Sequence, residues 1–156
     1  MFDEESGEIR LKKGKGKSDQ LFDLERAQIP GFHQYFWFKT DSSGKKSISL
    51  EGILRYQKFD LNDEKQLFRL EPVNNNNIVN ASTVIVNVKS GKVLDVPAAT
   101  HEKGAKIIQY SKNKRFNQRW VFIRGTKGYQ IRSLLNGLYL DVLENSKKHN
   151  AKVIQW

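Results

Sequence analysis

The 156-residue chain contains no cysteine, and it has no apolar run long enough to cross a membrane. The absence of cysteine excludes a disulfide framework, a thiolate metal site and a cysteine nucleophile. Membrane spans need about 18 or more consecutive apolar residues, so we expect none here. The first residues are acidic and then basic, without the apolar stretch of a signal peptide. These features favour a cytoplasmic protein and leave open a secreted protein or a fragment of a larger one.

Acidic residues are also scarce relative to basic ones, with 17 Asp and Glu against 27 Lys and Arg and a net charge of +10. The excess favours anionic partners in general and selects none of them. Only three histidines are present, and they are too far apart in sequence to suggest a metal site. No nucleophile motif of the Gly-x-Ser-x-Gly type occurs. We therefore expect a chain that is not an enzyme and binds neither cofactor nor metal.

Helical periodicity is missing as well. The apolar runs are short and often alternate, as in YFWFK, TVIVNV, RWVFI and YQIRS, and turn sequences such as KSG, GTKG and LNG separate them. Period-two alternation broken by turn residues is typical of short antiparallel strands. The sequence predicts an all-β protein.

An internal repeat defines the architecture. Residues 85–110 align with residues 131–156 without a gap at a spacing of 46 residues, and a degenerate earlier copy covers residues 35–71. The two better copies share a Leu-Asp-Val triplet, at 94–96 and 140–142. One four-stranded unit cannot bury its apolar face alone, whereas three around an axis can. We expect a β-trefoil of three four-stranded repeats with pseudo-three-fold symmetry.

We expect a single domain over residues 1–156, with repeats at about 34–73, 82–124 and 129–156. The third repeat lacks its fourth strand, but the N-terminal segment 1–30 contains a matching sequence. Its Gln20 and Phe22 lie 46 residues before Gln66 and Phe68. Closure of the third repeat by this segment is the working hypothesis, and a slice of a longer repeat array is the alternative.

The sequence resembles the ricin B-chain type (Gln-x-Trp) β-trefoil lectins in three motifs. These are the LDV triplets, the GAK sequence that begins a third strand ending in an aromatic residue, and NQRW at 117–120. The resemblance covers about residues 34–156 and is strongest over 82–123. It implies a β-trefoil fold, sugar binding without catalysis and up to one shallow pocket per repeat. In that family an Asp accepts hydrogen bonds from sugar hydroxyls, an aromatic residue stacks on the sugar ring, and an Asn adds polar contacts.

The resemblance implies sugar-binding roles for four residues of the second repeat and two of the third: Asp95, Tyr110, Asn117, Gln118, Asp141 and Trp156. If the N-terminus closes the third repeat, Asp19 and Gln20 are the nearest candidates for the Asn and Gln positions of its pocket. The first repeat has Ser49 at the Asp position and either Tyr56 or Gln57 at the aromatic position, so we expect its pocket to be inactive.

Structural roles compete with these assignments. Gln118 could hydrogen-bond turn backbone, Trp120 could fill the core, and the two aspartates could cap turns. If these residues bind sugar, the aspartate carboxylate accepts charge-assisted hydrogen bonds from sugar hydroxyls, and the aromatic ring contributes dispersion against the sugar ring. Such sites are shallow and wet, so each one is expected to bind weakly. The partners would then be glycans or glycoproteins.

Two other functions remain open. The first repeat also resembles hisactophilin- and fascin-like trefoils, which bind actin, so a basic trefoil that binds an acidic protein is the main alternative. A polyanion could also bind the basic loops through a cluster of lysines and one arginine: Lys112, Lys114, Arg115, Lys147 and Lys148. Nucleic acid is the less expected partner, and its binding would weaken steeply with salt.

Overall fold

The computed structural model describes residues 21–27, 35–39, 45–73, 78–125, 128–143, 146 and 150–156. Those residues form twelve strands: β1 (Asp23–Arg26), β2 (Tyr35–Lys39), β3 (Lys46–Glu51), β4 (Ile53–Lys58), β5 (Leu67–Pro72), β6 (Ser82–Asn87), β7 (Val93–Asp95), β8 (Ile108–Tyr110), β9 (Trp120–Arg124), β10 (Tyr129–Ser133), β11 (Leu140–Val142) and β12 (Ala151–Gln155). The same described residues include three short 3-10 helices, at Glu64–Gln66, Pro97–Ala99 and Phe116–Gln118. None of the helices in the described part of the chain has the length and apolar character of a membrane span.

Six strands form a barrel in which every neighbouring pair is antiparallel. The order is β1, β2, β5, β6, β9 and β10. Phe22, directly before β1, closes the ring against Tyr129 of β10. The Phe22 N–H donates to the Tyr129 carbonyl at 2.7 Å, and the Tyr129 N–H donates back at 2.8 Å. The barrel strand next to β10 therefore comes from the N-terminal side of the chain.

The other six strands form three hairpins, β3–β4, β7–β8 and β11–β12. They contact one another cyclically: Ile53 pairs with Ile108, Lys106 pairs with Ile154, and Lys152 pairs with Arg55. This triplet caps one end of the barrel. A six-stranded barrel with three such hairpins is a β-trefoil, so the predicted fold class is confirmed. The predicted limits of the domain and its repeats stay a prediction.

The core repeats in layers because equivalent positions of each repeat supply one buried apolar side chain. One layer contains Ile48, Leu94 and Leu140, and another contains Leu54, Ile107 and Val153, all without exposed surface. A third layer contains the aromatic residues of the Gln-x-aromatic positions: Phe22, Phe68 and Trp120. Burying a large apolar side chain contributes about 1.5–3 kcal/mol. The three repeats thus share one core, as the sequence pattern predicts.

Glycine is required where the barrel closes. A Cβ on Gly128 would lie 2.8 Å from the backbone oxygen of Phe22, closer than van der Waals contact allows. Because backbone cannot move away as a flexible side chain can, this position admits no larger residue without shifting the Phe22–Tyr129 pair.

Candidate functional site

Asp95 lies at the end of β7 and is only 3% exposed. Its carboxylate oxygen Oδ2 accepts two hydrogen bonds, from Gln118 Nε2 at 2.8 Å and from Asn117 Nδ2 at 3.1 Å. No described residue donates a hydrogen bond to the other oxygen, Oδ1. Oδ1 is also not fully buried. The protein thus holds the carboxylate by one oxygen and leaves the second available.

The short helix Phe116–Gln118 positions both donors. Gln118 also donates to the Ser111 carbonyl at 2.9 Å and accepts from the Asn113 N–H at 2.8 Å, so it ties the preceding loop to Asp95. Asn117 also donates to the Val96 carbonyl at 3.2 Å. The predicted structural role of Gln118 in binding turn backbone is confirmed by these contacts. Its side chain is 1% exposed and therefore reaches a ligand only through Asp95.

Gln66 of the first repeat makes the same backbone contacts. It donates to the Lys58 carbonyl at 2.9 Å and accepts from the Asp60 N–H at 3.0 Å. The recurrence shows that this glutamine belongs to the fold. Gln66 also donates to the carboxylate of Asp63 in its own loop, at 3.4 Å, whereas Gln118 donates at 2.8 Å to Asp95, a residue on strand β7. The predicted core role of Trp120 is also confirmed, since its ring is fully buried and its Nε1–H donates to the Leu94 carbonyl at 3.2 Å.

The electrostatics of the site follow from burial. Burial raises the pKa of Asp95 above its ordinary value, and the hydrogen bonds from Gln118 and Asn117 act in the opposite direction without cancelling it. A carboxylate that is poorly solvated gains more from a new hydrogen-bond donor than a surface carboxylate does. Ligand hydroxyls are suitable donors.

Two exposed aromatic side chains belong to the same repeat. Tyr110, at the end of β8, is 59% exposed and pairs with Val93, so it lies diagonally across the hairpin from Asp95. Diagonal neighbours are about 7–8 Å apart, and their side chains point to the same face. Phe116 is 65% exposed and begins the helix that carries Asn117 and Gln118. Phe116 is not among the residues predicted from the sequence, because the other repeats have no aromatic residue at this position; its place directly before Asn-Gln is the signal that could have identified it.

The third repeat places its two predicted residues in the equivalent register. Asp141 is buried and pairs with Ile154, and Trp156 pairs with Tyr139 through backbone hydrogen bonds of 2.8 and 3.0 Å. The ammonium of Lys103 lies 5.8 Å from the centre of the Trp156 ring. The predicted partners Asp19 and Gln20 lie outside the described residues.

The strand register decides between the two alternatives in the first repeat. Ser49 pairs with Arg55 and Ser47 pairs with Gln57, just as Asp95 pairs with Ile108 and Val93 with Tyr110. Gln57 therefore occupies the aromatic position, and Tyr56 is a buried core residue. The first repeat has neither the Asp nor the aromatic residue.

One member of the predicted basic cluster is neutralised. The Lys112 ammonium lies 2.9 Å from Oε2 of Glu71, and Arg69 donates to Oε1 of the same carboxylate at 2.6 Å. Burial alone would raise the pKa of Glu71, but these two cations together lower it. Lys114 and Arg115 are exposed, and Lys147 and Lys148 lie outside the described residues. Across the described ranges, no three acidic or histidine side chains come together as a metal site would require.

Comparisons with known proteins agree with this fold. The family model described as ricin-type beta-trefoil lectin domain-like matches residues 18–110 and again residues 55–156. No curated protein sequence gives a significant match.

Three solved structures illustrate the similarity. The designed three-fold symmetric protein ThreeFoil is 28% identical over 71% of this chain and 81% of its own, with a TM-score of 0.64. The exo-beta-1,3-galactanase 1,3Gal43A from Clostridium thermocellum is 26% identical with a TM-score of 0.62, and the match covers 88% of this chain but only 27% of the galactanase. The Rhizoctonia solani agglutinin is 18% identical over 83% of this chain and 89% of its own, with a TM-score of 0.66. With the repeated core, the barrel closed by hairpins and the family match over more than half of its length, the chain belongs to the ricin-type β-trefoil lectin domain-like family.

Proposed function

We propose that this protein is a non-catalytic lectin domain that binds carbohydrate through the second repeat. The observation that carries the proposal is the Asp95 carboxylate, which Gln118 and Asn117 hold by one oxygen while its other oxygen stays available beside exposed Tyr110. Membership in a family of lectin domains supports carbohydrate binding in general.

The roles follow from the chemistry of a pyranose, which has a rim of hydroxyls and an apolar face of C–H groups. Asp95 accepts a charge-assisted hydrogen bond from a sugar hydroxyl. Tyr110 covers the apolar face and contributes dispersion. Asn117 and Gln118 orient the carboxylate, and the exposed Phe116 extends the apolar surface at the edge of the site.

We assign sugar binding to Asp141 and Trp156 in the third repeat as well, where both carboxylate oxygens of Asp141 are buried more deeply than Oδ1 of Asp95. Their support is the shared register, with Asp141 on β11 and Trp156 directly after β12. Two sites on one molecule would raise the avidity for glycoproteins that carry several chains, even where each site binds weakly.

The first ligands to test are β-galactosides, since one of the similar structures is an exo-beta-1,3-galactanase. A glycan array with the wild-type protein identifies the sugar, and titration calorimetry with that sugar compares the variants. We expect Asp95→Ala and Tyr110→Ala each to reduce the affinity at least about tenfold.

A matched control is Leu61→Ala, which truncates an equally exposed apolar side chain in the turn before the first short helix. We expect Leu61→Ala to leave the affinity unchanged. Absence of glycan binding by the wild type, or binding that survives both site substitutions, would show that the second repeat is not the sugar site.

The main alternative, a basic trefoil that binds actin or another acidic partner, draws its support from the net charge of +10. The ion pair between Lys112 and Glu71 weakens it, because that lysine is already compensated. Actin co-sedimentation at two salt concentrations tests the alternative. Binding that falls steeply with salt supports it, whereas binding of a neutral sugar barely responds to salt.

A further inference from the structure

The first repeat contains a polar cleft at the position where the second repeat has Asp95 and Tyr110. Its volume is about 380 Å³, and its lining residues come from β3, β4 and the residue before β12: Ser49, Glu51, Arg55, Gln57 and Asn150. Ser49 and Glu51 lie on the same face of β3, because side chains alternate along a strand, and Ser49 pairs with Arg55. The cleft is therefore a built feature of the hairpin.

A buried hydroxyl at the cleft has no hydrogen-bond partner in the described part of the chain. Ser49 is 2% exposed, and its Oγ makes no hydrogen bond to any residue that the structure describes. Leaving a buried polar group unsatisfied costs about 1–3 kcal/mol. A ligand that donates a hydrogen bond to Ser49 Oγ, or accepts one from it, would recover this energy.

The cleft also holds a positive charge that its own carboxylate does not neutralise. Arg55 donates through one terminal nitrogen to the Asn150 carbonyl at 3.1 Å, and no described carboxylate lies within ion-pair distance of its guanidinium. Glu51 instead pairs with Lys65 at 3.4 Å. Because a guanidinium has five N–H donors in a planar fork, Arg55 keeps donors for a carboxylate ligand.

We infer that this cleft binds a saccharide carrying a carboxylate next to ring hydroxyls, that is, a hexuronate. The carboxylate binds the Arg55 guanidinium, and the hydroxyls bind Ser49 Oγ and Glu51. Gln57 stands where the other repeats have an aromatic residue and donates to Asn150 Oδ1 at 2.6 Å, so no ring stacks on the sugar. Charge recognition replaces stacking, and the site selects acidic over neutral sugars. The inference does not depend on sugar binding at Asp95.

The test uses the full chain labelled with ¹⁵N and titrated with methyl β-D-glucuronide and methyl β-D-galacturonide. We expect both to shift the amide signals of residues 49–57 and 150, whereas methyl β-D-glucoside and methyl β-D-galactoside leave these signals in place. Arg55→Gln keeps a donor for the Asn150 carbonyl and removes the charge, and it should weaken uronide binding at least about tenfold. Arg55→Lys should give an intermediate loss, because it keeps the charge without the fork.

Two controls separate this site from the second repeat. Arg124→Gln makes the same change at an exposed position of β9 and should leave uronide binding unchanged. The second control is the location of the shifts, since the signals of residues 49–57 and 150 report on this cleft and those of residues 93–96 and 108–118 report on the second repeat, so failure of either proposal is visible independently of the other. The inference is overturned if the uronides do not shift residues 49–57, if neutral glycosides shift them equally, or if acetate alone binds as tightly as the uronides.

Discussion

Replacement of Asp95 by Asn separates a functional carboxylate from a structural one. The substitution is nearly isosteric, and an amide oxygen in place of Oδ2 can still accept from Gln118 Nε2 and Asn117 Nδ2, at 2.8 and 3.1 Å in the wild type. Two charge-assisted hydrogen bonds become neutral ones, which costs about 1 kcal/mol each. The burial penalty of the charge disappears at the same time. We expect the free energy of unfolding at pH 7 to change by no more than about 1 kcal/mol.

The affinity for sugar should respond differently. An amide in place of Oδ1 presents a neutral group to the ligand hydroxyl, so the loss of a charge-assisted hydrogen bond should cost about 1.5–3 kcal/mol, or roughly 10- to 150-fold in Kd. Titration calorimetry measures the affinity, and denaturant unfolding measures the stability. Asp95 would be a structural residue if the variant lost more than about 2 kcal/mol of stability or bound sugar within about twofold of the wild type.

The pH dependence gives an independent check. The folded-state pKa of Asp95 is raised by burial, so the folded protein binds this proton more tightly than the unfolded chain does. The resulting stabilisation is fully present below the ordinary pKa of 3.8 and is lost as the pH rises through the raised folded value. Sugar binding needs the ionised form, so the affinity should fall as the pH decreases through the same raised pKa. Asp95→Asn should abolish the fall in affinity at low pH and should remove the contribution of Asp95 to the pH dependence of stability, while the contributions of other shifted groups such as Glu71 remain.

Three further substitutions test the fold that supports the site. Gln118→Ala should destabilise the protein by about 3 kcal/mol, since it removes one of the two hydrogen bonds to the Asp95 carboxylate and both side-chain hydrogen bonds to the loop backbone. Denaturant unfolding showing a loss of less than about 1 kcal/mol would contradict this. Trp120→Ala should cost about 3–5 kcal/mol through the cavity left in the core, measured in the same way, and a smaller loss would mean that the core collapses into the cavity. Gly128→Ala should cost about 1–3 kcal/mol of stability, because its Cβ would lie too close to the Phe22 backbone. Gly125→Ala should cost less, because the atom nearest its Cβ belongs to a flexible leucine side chain. Equal thermal midpoints for the two variants would argue against strain at the barrel closure.

The repeated residues allowed the sequence to predict the fold class. Leu94 and Leu140 recur at the same position because each repeat must fill the same place in a three-fold core. The aspartates beside them recur with the strands that carry them, so the candidate residues Asp95 and Asp141 were visible from the sequence. Their role in binding sugar stays a prediction.

Contacts between segments distant in sequence could not be read in this way. The choice between Tyr56 and Gln57 depended on the register of β3 and β4, and a shift of one residue would have reversed which side chain faces the core. The pairing of Lys112 with Glu71 joins residues 41 positions apart, and nothing in the local pattern of either segment predicts it.

The sequence by itself determined that the chain is a β-trefoil with an Asp and an aromatic residue in two of three repeats, because periodicity and repetition are properties of the chain. Only the tertiary structure decided that one oxygen of Asp95 is held by Gln118 and Asn117, and that Ser49 and Arg55 line a cleft in the repeat that the sequence predicts to be inactive. The physical reason is that hydrogen bonding and burial depend on which strands become neighbours. Long-range pairing in the barrel and in its hairpin cap determines these neighbours.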